Sequence, residues 1–314
     1  MIKVEHLAKR YADVYAVNDI SFEVEQGEIL GLLGPNGAGK TTTMRILTCY
    51  MPATSGSATV AGYDVFHNSI SVRRQIGYLP ENVPLYPEMR VKEYLLFRAR
   101  LKKVPYRDRK MKIGESIEKC RIKEVENQII GTLSKGYRQR VGLADTLVHD
   151  PKILILDEPT IGLDPNQIRQ VRQLVKELGE KHTILLSTHI LPEVEMICGR
   201  VIIINKGKIV AMDTPSNLAT QMKAGSNILL EVKGDGKKIQ DALLGIQGVK
   251  KVIWQDGGEI NNFTVEAEKG MDTREDIFLN VVKNNGIIRE MRQAPVTLEE
   301  IFHQITTHEQ EVTI

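Results

Sequence analysis

The stretch Gly34-Pro35-Asn36-Gly37-Ala38-Gly39-Lys40-Thr41, followed by Thr42, fits the spacing GxxxxGK[ST] in full. Glycines at those positions let backbone N–H groups turn inward around the β- and γ-phosphates of a nucleotide, and a helix N-terminus behind them adds to the attraction. Lys40 offers a point charge to the phosphates, and Thr41 offers a hydroxyl to Mg²⁺. Asp157 and Glu158 follow the apolar run 153–156. Two carboxylates at the end of a buried strand are costly without a cation or hydrogen-bond partners. Asp157 is therefore expected to hold Mg²⁺, directly or through water, and Glu158 to take a proton from an attacking water. His189 closes the run TILLST as an imidazole able to polarise the γ-phosphate or that water. Tyr11, after the first alternating run, either stacks on adenine or packs at a strand edge. Such a set would suit Mg²⁺-dependent hydrolysis of a nucleotide's terminal phosphate.

The elements around these residues suit the task. EILGLLG runs apolar into the Gly-rich loop, and TTTMRILTCY continues as a helix, which is the strand–loop–helix order a phosphate loop requires. Before it, IKVEHL and ISFEVE alternate with the period of strands, and PATSGSATVAGYDV returns to strand and turn. Residues 86–130 are charged, helix-period and poor in Gly; they read as a helical insert, extending to about 135 as a subdomain. From 151 the α/β pattern resumes. KILILD, TILLST and VIIINKGKIV are the continuous apolar runs of buried parallel strands, with IRQVRQLVKELGEK as a helix between the first two. The pattern breaks near 213–226. Residues 227–292 then give the order βαββαβ, a small ferredoxin-like α+β domain, and PVTLEEIFHQIT reads as a closing helix. The expected domains are 1–215, a P-loop α/β domain with its helical subdomain, and 226–305, an accessory α+β domain.

Bulk composition narrows the partners. The 314 residues carry 42 basic and 40 acidic side chains, a net charge of +2, which argues against nucleic acid. Three cysteines without CxxC spacing argue against a zinc site or a disulfide framework and fit a reducing compartment. The start carries no apolar signal region, and no apolar run approaches the ~18–20 residues of a membrane helix. Any membrane part would have to come from another chain.

One stretch remains. LSKGYRQR, at 133–140, looks like an exposed turn entering a basic helix, far in sequence from the phosphate loop. The order of motifs now resembles the ATP-binding subunit of ABC transporters over about residues 1–215. GPNGAGKTT looks like Walker A, LSKGYRQR like the signature LSGGQ, and ILILDEP like Walker B with its catalytic glutamate. GLDP at 162–165 is similar to the D-loop, with Asp164 at the nucleotide, and STH at 187–189 to the H-loop. The resemblance implies that two such domains pack head to tail, with each ATP between the phosphate loop of one and the signature of the other. Ser134 and the backbone of Gly136 would then contact the γ-phosphate held by a partner's Lys40. It also implies an integral membrane permease, a location at the cytoplasmic face of the cell membrane, and a second ATP-binding subunit, a second copy in a homodimer or else a homologue. IGYLPENVPLYPEMRVKEYL and PVTLEEIFHQIT resemble the type 2 exporter branch, which includes gliding-motility, multidrug and sodium-export proteins. There, the segment after Glu81 would help form the groove that receives a cytoplasmic helix of the permease.

Two departures stand out. Lys135 and Tyr137 replace the Gly and Gln of the signature, and Glu81 replaces the Gln expected near the metal. Glu81 can still meet Mg²⁺ or water, but it adds negative charge there. A soluble ABC-type ATPase acting on a non-membrane partner is the alternative. The single Walker A and the absence of a heptad array speak against the ribosomal and DNA-repair members. For the C-terminal domain, a dimer contact or structural support is favoured over a small-molecule sensor, because it offers no polar cluster.

Overall fold

The computed structural model describes residues 1–221, 227–268 and 271–293. The chain divides into two compact units, Met1–Pro215 and Ser216–Ile314. The expected closing helix PVTLEEIFHQIT lies outside the described residues.

The first unit opens with β1 (Ile2–Tyr11) and β2 (Val14–Val24), an antiparallel pair. There follow β3 (Ile29–Leu33), α1 (Lys40–Leu47), β4 (Ser55–Val60), β5 (Tyr63–Asp64), α2 (Ser69–Gln75) and β6 (Ile76–Leu79). The helical region is α3 (Val91–Leu101), α4 (Tyr106–Lys119) and α5 (Lys135–Leu147). The unit then returns to α/β with β7 (Ile153–Asp157), α6 (Pro165–Gly179), β8 (Thr183–Thr188), α7 (Leu191–Ile197), β9 (Arg200–Asn205) and β10 (Lys208–Asp213), and α8 (Pro215–Gln221) follows.

Two sheets result. One is antiparallel, in the order β2-β1-β4-β5. The other runs β10-β9-β3-β8-β7-β6; its inner ladders are parallel, and β10 joins antiparallel at the edge. Every residue of β7 and β8 is buried, which is why their centres, 153–156 and 184–186, are unbroken apolar runs, whereas edge strand β10 alternates. Between the sheets lies the main core, where Met44, Ile46 and Leu47 of α1 meet Ile2, Val4 and Leu7 on one side and Leu30, Leu32 and Ile155 on the other. Parallel register brings the ends of three strands to one sheet edge. Leu33 is level with Thr188, and Asp157 with Ser187. The phosphate loop, the two carboxylates and the segment bearing His189 therefore leave the sheet side by side, where α/β sheets hold their ligands.

The sequence pattern gave no warning of α2, β6 or α7. Each is short, and α2 buries only Val72, so no periodic stripe marks it. The helical region forms around α5, with α3 and α4 packed on it and Val91, Leu95, Ile113 and Ile117 buried. Asp145 of α5 ties α3 down, accepting from Arg98 Nε at 2.9 Å and pairing with Lys102 Nζ at 3.0 Å.

The second unit contains β11 (Asn227–Lys233), α9 (Gly236–Leu244), β12 (Val249–Gln255), β13 (Asn261–Ala267), α10 (Arg274–Lys283) and β14 (Ile287–Gln293). Its strands lie in the order β12-β13-β11-β14, all antiparallel, the split arrangement expected of βαββαβ. Ile239, Leu243, Ile277 and Val281 of the helices bury against Leu230, Val232, Phe263 and Val265 of the sheet. Among the described residues, no helix is long and apolar enough to cross a membrane.

Candidate functional site

The phosphate loop is built on two close backbone approaches. A Cβ on Gly34 would lie 2.3 Å from the carbonyl oxygen of Ile204. Gly39 has φ +108°, and a Cβ there would lie 2.4 Å from the Ala16 oxygen, so any side chain would both strain the backbone and displace β2. Pro35, Asn36 and Gly37 form the outer turn, Asn36 and Gly37 being exposed, while Ala38 is buried. Gly34 N donates to Thr188 O at 3.4 Å, tying the loop to the end of β8. Behind the loop, α1 starts at Lys40, and Thr41 and Thr42 in its first turn are half-buried.

Lys40 is 5% exposed. Its ammonium donates to Gly34 O at 2.7 Å and Pro35 O at 3.1 Å, and lies 3.3 Å from Glu158 Oε1. Burial without such partners would be prohibitive for a charge. Thr41 Oγ1 donates to Asp157 Oδ1 at 3.2 Å. Ser187 Oγ donates to the same oxygen at 2.5 Å and accepts from Glu158 N at 3.0 Å. Glu158 adopts φ +48°, the left-handed conformation, which sharply turns the chain after β7. Its Oε2 meets His189 Nδ1 at 2.9 Å. One chain thus brings together Lys40, Thr41, Asp157, Glu158 and His189, all singled out from the sequence.

Asp157 is fully buried, and its Oδ2 has no hydrogen-bond partner. Burial pushes its carboxyl above the ordinary 3.8, opposed by the Ser187 and Thr41 hydroxyls and reinforced by the neighbouring Glu158 charge. A buried oxygen without a donor, next to a threonine hydroxyl, suits a hard divalent cation with oxygen ligands.

Ser187 was not given a role from sequence, yet it bridges Asp157 to the backbone of Glu158. A second network was also missed. Thr188 Oγ1 donates to Glu193 Oε2 at 2.8 Å and accepts from Ile190 N at 3.0 Å, while Arg172 of α6 reaches Glu193 Oε1 at 3.4 Å. These bonds fix the turn that carries His189. Glu193 is 1% exposed, and a glutamate in LPEVEM gives no sign of that burial.

Other expected residues stand apart from this cluster. Tyr11 is half-exposed, its hydroxyl donating to Met51 Sδ at 3.0 Å and its ring 5.4 Å from the Lys9 ammonium. Parallel pairing sets Leu79 level with Leu156, so the chain leaves β6 beside Asp157, but Glu81 itself is exposed. Asp164 caps α6, its Oδ1 accepting from the N–H groups of Asn166 and Gln167, each at 2.9 Å. Ser134 is exposed and caps α5, accepting from Tyr137 N at 3.4 Å. Gly136 is buried, and a Cβ there would lie 2.6 Å from the Gln167 side chain. The Lys135 ammonium folds over Gly162, where a Cβ would meet it at 2.1 Å. Tyr137 donates to Glu124 Oε1 at 2.7 Å under the Arg140 guanidinium, which is 4.3 Å from the ring centre. The signature departures are thus engaged within the chain.

A sequence profile of the ABC transporter family matches residues 17–161. The linearmycin resistance ATP-binding protein LnrL of Bacillus subtilis is 33% identical over 253 residues, covering 80% of this chain and 81% of the relative. The chain belongs to the ABC-transporter ATP-binding proteins. An uncharacterised ABC transporter ATP-binding protein of the same organism, YdbJ, is 33% identical over 313 residues, covering 99% of this chain and 92% of its own. YbhF of Escherichia coli, a probable multidrug ABC transporter ATP-binding protein, is 36% identical over 70% of this chain but only 38% of its own. A solved ATP-binding subunit of an ABC transporter superposes with a TM-score of 0.65 at 30% identity, covering 71% of this chain and 93% of that one. The cassette MJ0796, solved as a dimer with ADP and Pi, shares the fold with a TM-score of 0.63 at 24% identity, over 68% of this chain and 98% of that one. This ABC ATP-binding protein is an ATP-hydrolysing enzyme.

Proposed function

We propose that this ABC ATPase powers an exporter of the type 2 branch from the cytoplasmic face of the cell membrane, as a pair of identical subunits docked on an integral membrane permease. The observation that carries the catalytic part is the convergence of Lys40, Thr41, Asp157, Glu158 and His189 at one sheet edge, with Asp157 Oδ2 left unpaired. Phosphates entering the loop compete with Glu158 for the Lys40 ammonium, which frees Glu158 to face the attacking water. Glu158 then takes the water's proton, and His189, held through Nδ1, keeps that carboxylate oriented. Thr41 and Asp157 would hold Mg²⁺, with Glu81 meeting it directly or through water; such an ion would supply neutralisation of charge developing on the phosphates. Pro35, Asn36, Ala38 and Thr42 complete the phosphate loop, and Tyr11 would stack on the base.

Pairing follows from what one chain lacks. Ser134 and Gly136 have no described contact with the phosphate loop of their own chain, so a partner's phosphate loop is the natural place for them. Asp164, capping α6 beside them, would face that same junction. ATP then acts as the contact that holds the pair closed, and hydrolysis removes it. In this reading residues 1–215, with the subdomain at 86–135, form the motor, and 226–305 form a supporting or dimer-contact domain. The names of LnrL and YbhF, one tied to resistance and one to multidrug transport, support the export reading. Its test is a pull-down of the tagged protein from solubilised native membranes. Recovery of a multi-span membrane protein is expected; recovery of ribosomes, DNA or nothing would move the account to a soluble ATPase.

A further inference from the structure

Residues 98–112, at the end of α3 and the start of α4, are strongly basic and hold one carboxylate, Asp108. Part of this charge is neutralised locally. Arg98 and Lys102 pair with Asp145, and Lys112 with Asp150 at 2.8 Å. Arg109 folds back, donating to Val104 O and lying 5.7 Å from the Tyr106 ring centre. Arg100, Lys103, Arg107 and Lys110 are all exposed. Among the described ion pairs, only Arg107 of these four has a carboxylate, its own neighbour Asp108 at 3.6 Å.

Helix dipoles explain only part of this. Arg100 lies in the last turn of α3, where a cation is favoured. Arg107 and Lys110 lie near the N-terminus of α4, where the dipole disfavours them. Between the cations stand Leu101, Tyr106 and Met111, which are 57%, 85% and 54% exposed. Single exposed apolar side chains are ordinary. Three of them interleaved with four outward cations on one turn match what anionic lipid needs: cations for the headgroups, and an aromatic and aliphatic fringe for the interfacial layer.

The position agrees, given the permease reading above. Arg98 and Lys102 line a groove of about 780 Å³ whose other residues include Val83 and Pro84, from the segment after Glu81 expected to help receive a cytoplasmic helix of the permease. The last turn of α3 passes from that groove wall directly into the basic turn. We propose that residues 100–111 contact the anionic headgroups of the bilayer next to the permease.

Flotation of the full chain with protein-free vesicles tests this independently of any permease. With phosphatidylglycerol mixed into phosphatidylcholine, the protein should float at low salt and sink at high salt; with phosphatidylcholine alone it should not float. The variant Lys103→Ser/Arg107→Ser/Lys110→Ser should lose affinity by about fivefold per cation, on the order of a hundredfold in all. Its nucleotide binding should be unchanged, which also reports that it folds. Failure of the wild type to float with anionic vesicles, or equal flotation of the variant, overturns the proposal. So does a variant that floats normally but no longer copurifies with the permease, since the turn would then serve a protein contact. Loss of permease recovery by the wild type would instead refute the transporter reading and leave the flotation result standing.

Discussion

The two motifs proposed to bear on the γ-phosphate are built in opposite ways. Around Lys40 the side chains engage one another: Lys40 meets two carbonyls and Glu158, Asp157 Oδ1 meets Thr41 and Ser187, and Glu158 meets His189, with Asp157 Oδ2 alone of that carboxylate left without a partner. Around Ser134 the residue is exposed and, among the described contacts, its hydroxyl meets only the long cap bond from Tyr137 N. The first region is tied together by side chains of one chain. The second is held firmly from behind, by Gln167 against Gly136 and Lys135 over Gly162, while its front faces outward. A motif so well supported and so little used by its own chain is suited to a partner.

Substitutions can break that contrast. The largest effect is expected from Lys40→Ala. It removes charge-assisted bonds to phosphate and should weaken ATP binding by roughly 10–100-fold. Equilibrium binding with a fluorescent ATP analogue checks this, and unchanged affinity would remove the phosphate-loop assignment. Ser134→Ala probes the outward half. It should leave the monomer's ATP affinity intact while turnover falls about tenfold or more, as when one donor to a developing charge is lost. The lost cap should cost about 0.5–2 kcal/mol of stability. A fall in stability with full turnover would reduce Ser134 to a cap.

The smallest effect concerns Asp157 in metal-free buffer. Its folded pKa lies above the ordinary 3.8, so between the two values the folded chain binds the proton more tightly than the unfolded chain. Stability from this group therefore falls as pH rises through that window, and the penalty persists at neutral pH. Asp157→Asn should raise Tm by a few degrees in chelator at neutral pH. A lower Tm would mean that the carboxylate is better satisfied than its bare Oδ2 indicates.

Much of the inward half was legible in the sequence because each residue ends an apolar strand or opens a helix, and parallel strands deliver their ends to one edge. Ser187 was not legible as a bridge, because a serine in a short motif does not reveal which carboxylate it meets. The Gln167–Gly136 and Lys135–Gly162 contacts join segments far apart in sequence, beyond what local pattern carries. Short elements with a single buried side chain, such as α2, escaped for the same reason. The βαββαβ order of the second unit was readable because its strands alternate and its helices carry clear apolar stripes.

The most direct test of a site completed by a partner is the molecular mass of Glu158→Gln in solution, measured by light scattering with saturating ATP and Mg²⁺. Without its proposed base, the protein should bind ATP, fail to hydrolyse it and be trapped as a dimer, returning to monomer with ADP. A variant that binds ATP fully and remains monomeric would contradict the account.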